Sequence, residues 1–245
     1  ISACLVGSEM CIRDSLLEMR REEAEEIRKP VVVAGGTDLF VQKPEQLQRE
    51  PLQFISGRRG LAGIWQRDGF QFLGAAVPFE DLREVRPLGS YLEWIASAPI
   101  RHRATVGGNI VNASPIGDLT ILFLALGARL GLRGPAGSRE LAMERFFLGY
   151  KRLDLSDGEV LEWIAFPTLH PEQRFNFEKV GRRKHLDIAS VNSAACLSLR
   201  GKTIAEARLS AGGVAPVPLL LRNTSQFLAG RQAAIPALKH ALRLA

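Results

Sequence analysis

Two glycine pairs with short polar neighbours are the features of this sequence best suited to binding chemistry. Gly35-Gly36 follows the β-branched run 31–33, and Gly107-Gly108 lies in the segment 105–118. Four short polar side chains follow the second pair, and these are Asn109, Asn112, Ser114 and Asp118. Glycine lets another molecule approach the backbone closely, and a strand followed by a Gly-Gly turn offers N–H groups to an anion. Neither GxGxxG nor GxxxxGK[ST] is present, but the two pairs together predict a cofactor pocket.

Groups for protein-borne catalysis are not arranged in any recognisable pattern. The three cysteines and four histidines show neither CxxC nor HxxxH spacing, so a protein-ligated metal is not expected. Cys196 lies in the apolar alternation 194–197 and is predicted to be an inert core thiol. Ser114 has no base near it in sequence, and no carboxylate pair stands out. The remaining interpretation is that the protein binds a cofactor and the cofactor carries out the chemistry, as in cofactor-dependent enzymes.

Lys179 is the most informative single charge. It stands in the alternating run 175–180, where its side chain is expected to alternate with Phe177 and Val180 across the sheet faces. From the residues alone, an exposed strand lysine and a functional lysine are equally open. The basic clusters 101–103 and 182–184 are interpreted as solvated or partner-facing surfaces.

The pocket segments must be positioned by the elements around them. Segment 105–118 is predicted to be a buried polar loop, with Asp118 as the N-cap of a core helix within the apolar run 119–130. Residues 16–28 have the pattern of a charged amphipathic helix that ends before Pro30. Further strands are predicted at 31–33, 51–54, 70–75 and 160–166, and helices at 79–85 and 88–96.

The pattern changes after residue 171. Strands are predicted at 175–180, 187–199 and 203–211, with a hairpin turn at 200–202 and a closing helix at 235–244. This predicts a three-stranded antiparallel sheet with helices. The expected organisation is therefore a non-native leader at 1–15, one domain at 16–170 and a second at 171–245.

Composition excludes several classes of protein. The chain of 245 residues is 46% hydrophobic and 24% charged, which is typical of a soluble globular protein. No apolar run reaches the roughly 18 residues of a membrane span. The net charge of +6 is spread among acidic residues, so neither a nucleic acid nor a membrane partner is expected. Few cysteines and no signal-like start indicate the cytoplasm.

Four motifs in order resemble one family. Residues 34–39 (AGGTDL) resemble the first pyrophosphate loop of the FAD domain in molybdenum hydroxylases, and residues 104–119 resemble its second loop. Lys179 with 182–183 and 187–189 is similar to a third signature, and 212–222 to a fourth. The resemblance is closer to the FAD-binding subunit or domain of bacterial xanthine dehydrogenases than to the carbon monoxide dehydrogenase medium subunit.

The resemblance implies an α+β protein that holds FAD non-covalently. Residues 16–170 would form a two-subdomain FAD-binding fold of the vanillyl-alcohol-oxidase/PCMH type. Residues 171–245 would form a domain of the carbon monoxide dehydrogenase flavoprotein C-terminal type. Transferred residue by residue, the family's cofactor contacts fall on Val32, Val33, Ala34, Gly35, Gly36, Thr37, Asp38, Leu39, Ile95, Ala96, Ala104, Thr105, Gly108, Asn109, Ser114, Asp118, Leu161, Lys179 and Ile188.

The resemblance also implies a function shared with other proteins. Electrons would pass from a molybdopterin cofactor through [2Fe-2S] clusters, both in partner subunits or domains, to FAD and then to NAD, as in xanthine dehydrogenase. The alternatives are the flavin subunit of another molybdenum hydroxylase, acting on carbon monoxide, an aldehyde or an aromatic thioester, and a basic interaction module without a cofactor. The intact glycines disfavour the module. The family's usual aromatic-Pro start and Arg-rich ending are absent, so truncation at both ends is expected.

Overall fold

The computed structural model describes residues 30–183, 186–241 and 243–244. The predicted leader at 1–15, the predicted helix at 16–28, and the pair 184–185 lie outside the described residues. Within the described part, no helix is both long enough and apolar enough to cross a membrane.

A small parallel sheet opens the described chain. Strand β1 (Val31–Val33) pairs with β2 (Leu52–Phe54), and the helices α1 (Leu39–Gln42) and α2 (Pro44–Leu47) join them. Pro44 starts α2 because proline tolerates the first helical turn. Val33 is buried, and Ile55 packs in a small cluster with Leu61 and Ala76. This layout leaves the β1–α1 turn, residues 34–38, at one end of the pair.

A five-stranded antiparallel sheet forms the centre of the molecule. Its spatial order is β3-β4-β9-β5-β6. Its inner face buries Leu73, Leu130 and Ile164 completely. The small hairpin β7–β8 lies beyond β6 in the chain. The bounds are β3 (Ile64–Arg67), β4 (Phe70–Gly74), β5 (Arg129–Gly134), β6 (Gly137–Ala142), β7 (Phe147–Gly149), β8 (Arg152–Leu153) and β9 (Val160–Pro167).

Short helices connect β4 to β5. The predicted helices at 79–85 and 88–96 are 3-10 helices, over Phe79–Glu84 and Leu88–Trp94. They are followed by α3 (Ala98–Arg101), α4 (Val106–Val111) and α5 (Asp118–Ala125). The apolar run 119–130 is shared between α5 and the start of β5, because Gly127 adopts a left-handed φ of 71° and reverses the chain.

Helix α5 is the centre of the core, and residues 119–125 on it are all buried. The ring of Phe123 lies 5.7 Å from that of Phe166 on the five-stranded sheet. On its other side, the Ser210 hydroxyl donates to the Ile121 carbonyl at 2.7 Å. A helix that is apolar all round must be covered on every side, and α5 is packed between two sheets.

The second sheet is antiparallel and has four strands rather than the predicted three. Its order is β10 (Gln173–Val180), β11 (Val191–Arg200), β12 (Thr203–Gly212) and β13 (Leu219–Leu220). The fourth strand has two residues, too few to show a period-2 pattern. The predicted hairpin is confirmed, with Arg200 paired to Thr203. The predicted strand at 187–199 begins only at Val191. Helices α6 (Arg222–Leu228) and α7 (Ile235–Ala241) follow, and the α+β class is confirmed.

Candidate cofactor-binding cleft

A cleft of about 560 Å³ lies where the β1–α1 turn, the chain from Ile95 to Asp118, and the β10–β11 connection meet. Most of the residues proposed as cofactor contacts line it. They are Ala34, Gly35, Gly36, Thr37, Asp38, Leu39, Ile95, Ala96, Ala104, Thr105, Gly108, Asn109, Ser114, Asp118, Lys179 and Ile188. The wall is completed by nine residues that are not among the proposed cofactor contacts, although Asn112 and several others lie in the predicted pocket segments: Phe79, Ser97, Ile100, Asn112, Ile116, Gly117, Leu186, Asp187 and Ala189.

Three predicted contact residues do not line the cleft. Val33 is 1% exposed and points into the core, whereas its neighbour Val32 is 41% exposed. Successive side chains on a strand point to opposite faces, and neither face of β1 lines the cleft. Leu161 is 3% exposed and belongs to the main hydrophobic core of the central sheet. The structure therefore does not place these three side chains with the others.

The first glycine pair provides a row of free backbone donors. Within the described residues, no acceptor is hydrogen-bonded to the N–H groups of residues 35–38. Gly36 has a left-handed φ of 73°, which glycine adopts without strain. Gly35 packs so closely that a Cβ there would lie 2.0 Å from the Arg103 carbonyl oxygen. Consecutive N–H groups at such a turn form an anion-binding site, so this loop suits a phosphate group.

The second glycine pair lies in a helix, and the predicted buried loop is wrong at this point. Thr105 is the N-cap of α4, and its hydroxyl accepts from the Gly108 N–H at 3.2 Å. The N–H groups of Val106 and Gly107 donate to the carbonyls of Val77 and Ala75 at 2.9 and 2.8 Å. A helix needs partners for its first N–H groups, and here protein atoms supply them. This wall therefore offers the cleft side chains rather than free backbone donors.

Packing explains the glycine at position 107. A Cβ there would lie 2.6 Å from the Ala75 Cβ, so only glycine allows α4 to approach the residue that follows β4 this closely. The amide oxygen of Asn109 is buried without a partner among the described residues, as is the Thr120 hydroxyl. Buried polar atoms normally have partners, so a bound group or an ordered water is expected near them.

Asp118 is the first residue of α5 and not its N-cap, which is Gly117. Its carboxylate instead accepts from the Lys179 ammonium at 2.6 Å and from the Asn192 amide at 2.7 Å. Burial raises the pKa of the Asp118 carboxyl, and the charge of Lys179 and the two hydrogen bonds oppose that rise. The contacts join α5 to β10 and β11, so the carboxylate connects the two sheet regions at the cleft.

Lys179 lies at the cleft wall and is not an exposed strand lysine. Its side chain is 10% exposed and also donates to the Trp94 carbonyl at 2.9 Å. It shares the inward face of β10 with Phe177, while Val180 points outward. The expected alternation with Phe177 is wrong, since residues two apart on a strand share a face. Burial with a carboxylate partner fixes the ammonium at the cleft wall.

Each segment of the cleft turns through a left-handed residue. Besides Gly36, the residues are Ala96, Ala113 and Leu186, with φ values of 54°, 51° and 52°. Non-glycine residues in this region cost roughly 1–2 kcal/mol each. Such strain clusters at ligand sites, where the surrounding structure maintains it. The sequence contains no signal for these three positions, because alanine and leucine favour other conformations.

Two further predictions have structural outcomes. Cys196 is buried and free, and burial raises the pKa of its thiol to about 11, as expected for an inert core thiol. Arg101, interpreted as part of a solvated basic cluster, is 7% exposed and its guanidinium pairs with Glu80 at 2.6 Å. This contact is the largest of those that lower the pKa of Glu80.

The glycines of the fourth motif, residues 212–222, pack against the segment that lines the cleft. The Gly213 N–H donates to the Pro115 carbonyl at 3.1 Å. A Cβ on Gly212 would lie 2.2 Å from the Asn192 amide oxygen. These glycines therefore allow β12 to approach the 114–118 segment closely. Arg222 lies elsewhere, where it pairs with Glu144 at 2.8 Å.

Comparison with known proteins agrees with this geometry. Residues 13–169 match the family described as the FAD binding domain in molybdopterin dehydrogenase. Residues 176–245 match the CO dehydrogenase flavoprotein C-terminal domain. Xanthine dehydrogenase 1 of Arabidopsis thaliana is 35% identical over 158 residues, which is 62% of this chain but 12% of that relative.

Carbon monoxide dehydrogenases are similar in sequence and in structure. The medium chain of Afipia carboxidovorans is 32% identical over 177 residues, covering 72% of this chain and 58% of the relative. The structure of carbon monoxide dehydrogenase from Hydrogenophaga pseudoflava superposes with a TM-score of 0.84 at 28% identity, covering 88% of this chain and 78% of that one. The chain thus spans a small part of the first relative and a little over half of the second.

The matched families cover nearly all of the described chain, and the first alone covers more than half of it. The solved relative shares the architecture of both sheet regions. This chain therefore belongs to the FAD-binding family of the molybdenum hydroxylases, the group that includes the flavin-binding parts of xanthine dehydrogenase and carbon monoxide dehydrogenase.

Proposed function

We propose that FAD binds non-covalently in the cleft and that this chain is the electron-transfer part of a xanthine dehydrogenase-like molybdenum hydroxylase, with NAD as the final acceptor. The observation that carries the proposal is the row of four backbone N–H groups at residues 35–38 that have no acceptor among the described residues. Together with the ammonium of Lys179, they form a donor set suited to a pyrophosphate and a polar ring edge.

The protein's own residues would bind and orient the cofactor. The 35–38 turn would hold the pyrophosphate through its N–H groups, because no protein acceptor among the described residues competes for them. The side chains of Thr105, Asn109 and Ser114 line the cleft wall at and after α4, and they would provide short polar contacts to the cofactor. Lys179, paired with Asp118 at 2.6 Å, would hold a positive charge at the wall. Bound FAD would supply electron transfer in one- or two-electron steps.

The remaining redox centres would lie in partner subunits or domains. An iron–sulfur cluster is commonly held by four cysteine thiolates, and this sequence contains three cysteines in all. One of them, Cys196, is buried in the second sheet. We therefore propose [2Fe-2S] and molybdopterin partners, a domain boundary near Pro171 between the two matched families, and a cytoplasmic location. The acceptor NAD rests on similarity to xanthine dehydrogenases.

An absorbance experiment tests the proposal. The 245-residue chain is mixed with FAD, desalted and scanned, with circular dichroism as the check on folding. Two flavin bands that stay with the protein and bleach on addition of NADH are the expected result. Bands that stay with the protein but do not bleach with NADH would indicate that the electron acceptor is not NAD. A folded sample without flavin would contradict the FAD site and favour the cofactor-less interaction module.

A further inference from the structure

Arg101 is a buried arginine that no part of the proposed function uses. It ends α3 and points away from solvent, beneath the turn formed by residues 95–97. One nitrogen of the guanidinium, Nε, donates to Glu80 at 2.6 Å. Another, Nη1, donates to backbone carbonyls of Leu92 and Ala96 at 3.2 and 2.8 Å, with a longer contact to Ile95 at 3.5 Å. A single side chain therefore binds two carbonyls of this turn and one carbonyl of the 3-10 helix that precedes it.

The hydrogen bonds from Arg101 to these carbonyls also determine where the N–H groups of the same peptides point. In a trans peptide the carbonyl and the following N–H point in opposite directions. The carbonyls of Ile95 and Ala96 point to Arg101, so the N–H groups of Ala96 and Ser97 point away from it. Neither N–H has a partner among the described residues, and both residues line the cleft.

The turn would not keep this shape without a support. Ala96 has a φ of 54°, a left-handed conformation that alanine avoids. Its carbonyl accepts the shortest of the three backbone contacts from Arg101. Glu80 in turn holds the guanidinium, since its carboxylate binds both Arg101 and Arg83. Arginine suits this task because its planar donors are fixed relative to one another.

We infer that Arg101 is a positioning residue that turns the Ala96 and Ser97 N–H groups into the cleft as hydrogen-bond donors for the bound cofactor. The inference rests on the proposed FAD site and adds a second backbone donor group to it. Arg101 itself does not line the cleft. It acts through the backbone of the 95–97 turn.

The test compares two arginines that share Glu80. Arg101→Met removes the carbonyl contacts, whereas Arg83→Met removes only an ion pair of the same carboxylate at a side chain that is 44% exposed. We expect FAD to bind Arg101→Met about tenfold more weakly, as loss of one or two hydrogen bonds implies, with a shifted flavin absorbance maximum. Arg83→Met should bind FAD with wild-type affinity and spectrum.

Arg101→Lys keeps the charge beside Glu80 but has one nitrogen in place of the planar fork. It covers the case in which Arg101→Met does not fold, and we expect a smaller loss of affinity and the same direction of spectral shift. If a folded Arg101 variant binds FAD like wild type with an unchanged spectrum, or if Arg83→Met shows the same defect, the inference is wrong. Failure of wild type itself to retain FAD would instead refute the proposed function.

Discussion

The segments that contain Gly35-Gly36 and Gly107-Gly108 border the same cleft but contribute to it differently. The first pair turns the chain through a left-handed residue, and the N–H groups of residues 35–38 have no acceptor in the part of the chain that the structure describes. The second pair lies in α4, where Thr105, Val77 and Ala75 accept the N–H groups of residues 106–108. In the first segment the glycine turn offers donors and Gly35 also packs closely against Arg103, whereas in the second segment Gly107 provides close packing alone. A dipeptide therefore does not define an anion site; the partners of its N–H groups do.

The largest effect is expected at the donor turn. Gly35→Ala would place a Cβ 2.0 Å from the Arg103 carbonyl, a backbone atom that cannot rotate away. The turn must move, so we expect FAD to be lost on desalting. Gly57→Ala is the matched control, because a Cβ there meets nothing within 4 Å. The flavin-to-protein ratio after desalting measures the effect, and full flavin in Gly35→Ala would show that the turn is not the phosphate site.

The next effect concerns the charge pair that connects α5 with β10. Lys179→Met leaves the Asp118 carboxylate buried without its cation, which we expect to lower the free energy of unfolding by roughly 3 kcal/mol. Denaturant unfolding of the flavin-free protein measures this, and flavin affinity should fall as well. In the double variant Lys179→Met with Asp118→Asn, the loss should be smaller, since no charge remains buried.

The pH dependence gives this prediction a direction. In Lys179→Met the pKa of Asp118 should rise further, because burial already raises it and the opposing cation is gone. The folded state then binds the proton more tightly than the unfolded state does. Stability of the variant should therefore fall as pH rises through the interval between the unfolded and folded pKa values. A stability deficit that is the same at all pH values would contradict a buried, unpaired carboxylate.

A third pair of variants separates the two roles of glycine within α4. Gly107→Ala would bring a methyl group to 2.6 Å from the Ala75 Cβ, and overpacking of this kind costs roughly 1–3 kcal/mol. At Gly108 an added Cβ meets only the Thr105 hydroxyl, at 2.8 Å, and Gly108→Val adds a branched side chain to the cleft wall. We expect Gly107→Ala to lower the melting temperature and keep flavin, and Gly108→Val to lose flavin and keep its fold. The reverse pattern would contradict this assignment.

The sequence predicted the first segment better than the second for a physical reason. Residues 31–38 depend on local signals, a β-branched strand followed by a glycine turn, and the structure has both. Segment 105–111 has low helix propensity because of its paired glycines, yet it is helical. Contacts with Val77 and Ala75, which are distant in sequence, decide its structure. Tertiary packing overrides propensity in that case, and a single sequence does not show it.

The same limit explains the residues that sequence reasoning missed. Arg101 belongs to a run of basic residues, and only the fold shows that one of them is buried beneath a turn of the cleft. The left-handed Ala96, Ala113 and Leu186 have no compositional signal. Lys179 was identified as informative, but its burial with Asp118 depends on how two sheets pack against α5. Local motifs indicated which segments form the site, whereas long-range contacts determine how each segment is held.

The smallest effect on flavin binding is expected at the Arg139–Glu159 ion pair, which lies away from both glycine segments and therefore provides a control for them. Arg139 donates to Glu159 at 2.7 Å, and this contact, with the Ser156 N–H, lowers the pKa of the Glu159 carboxyl from 4.5 to about 2. A lowered carboxyl pKa adds stability above pH 4.5, and this contribution is lost as pH falls toward 2. In Glu159→Gln the melting temperature should lack this part of the acid dependence. Because Glu159 does not line the cleft, FAD affinity at neutral pH should equal that of wild type. A change in flavin affinity in this variant would mean that surface ion pairs control the cleft, and the separate roles assigned to the two glycine segments would then fail.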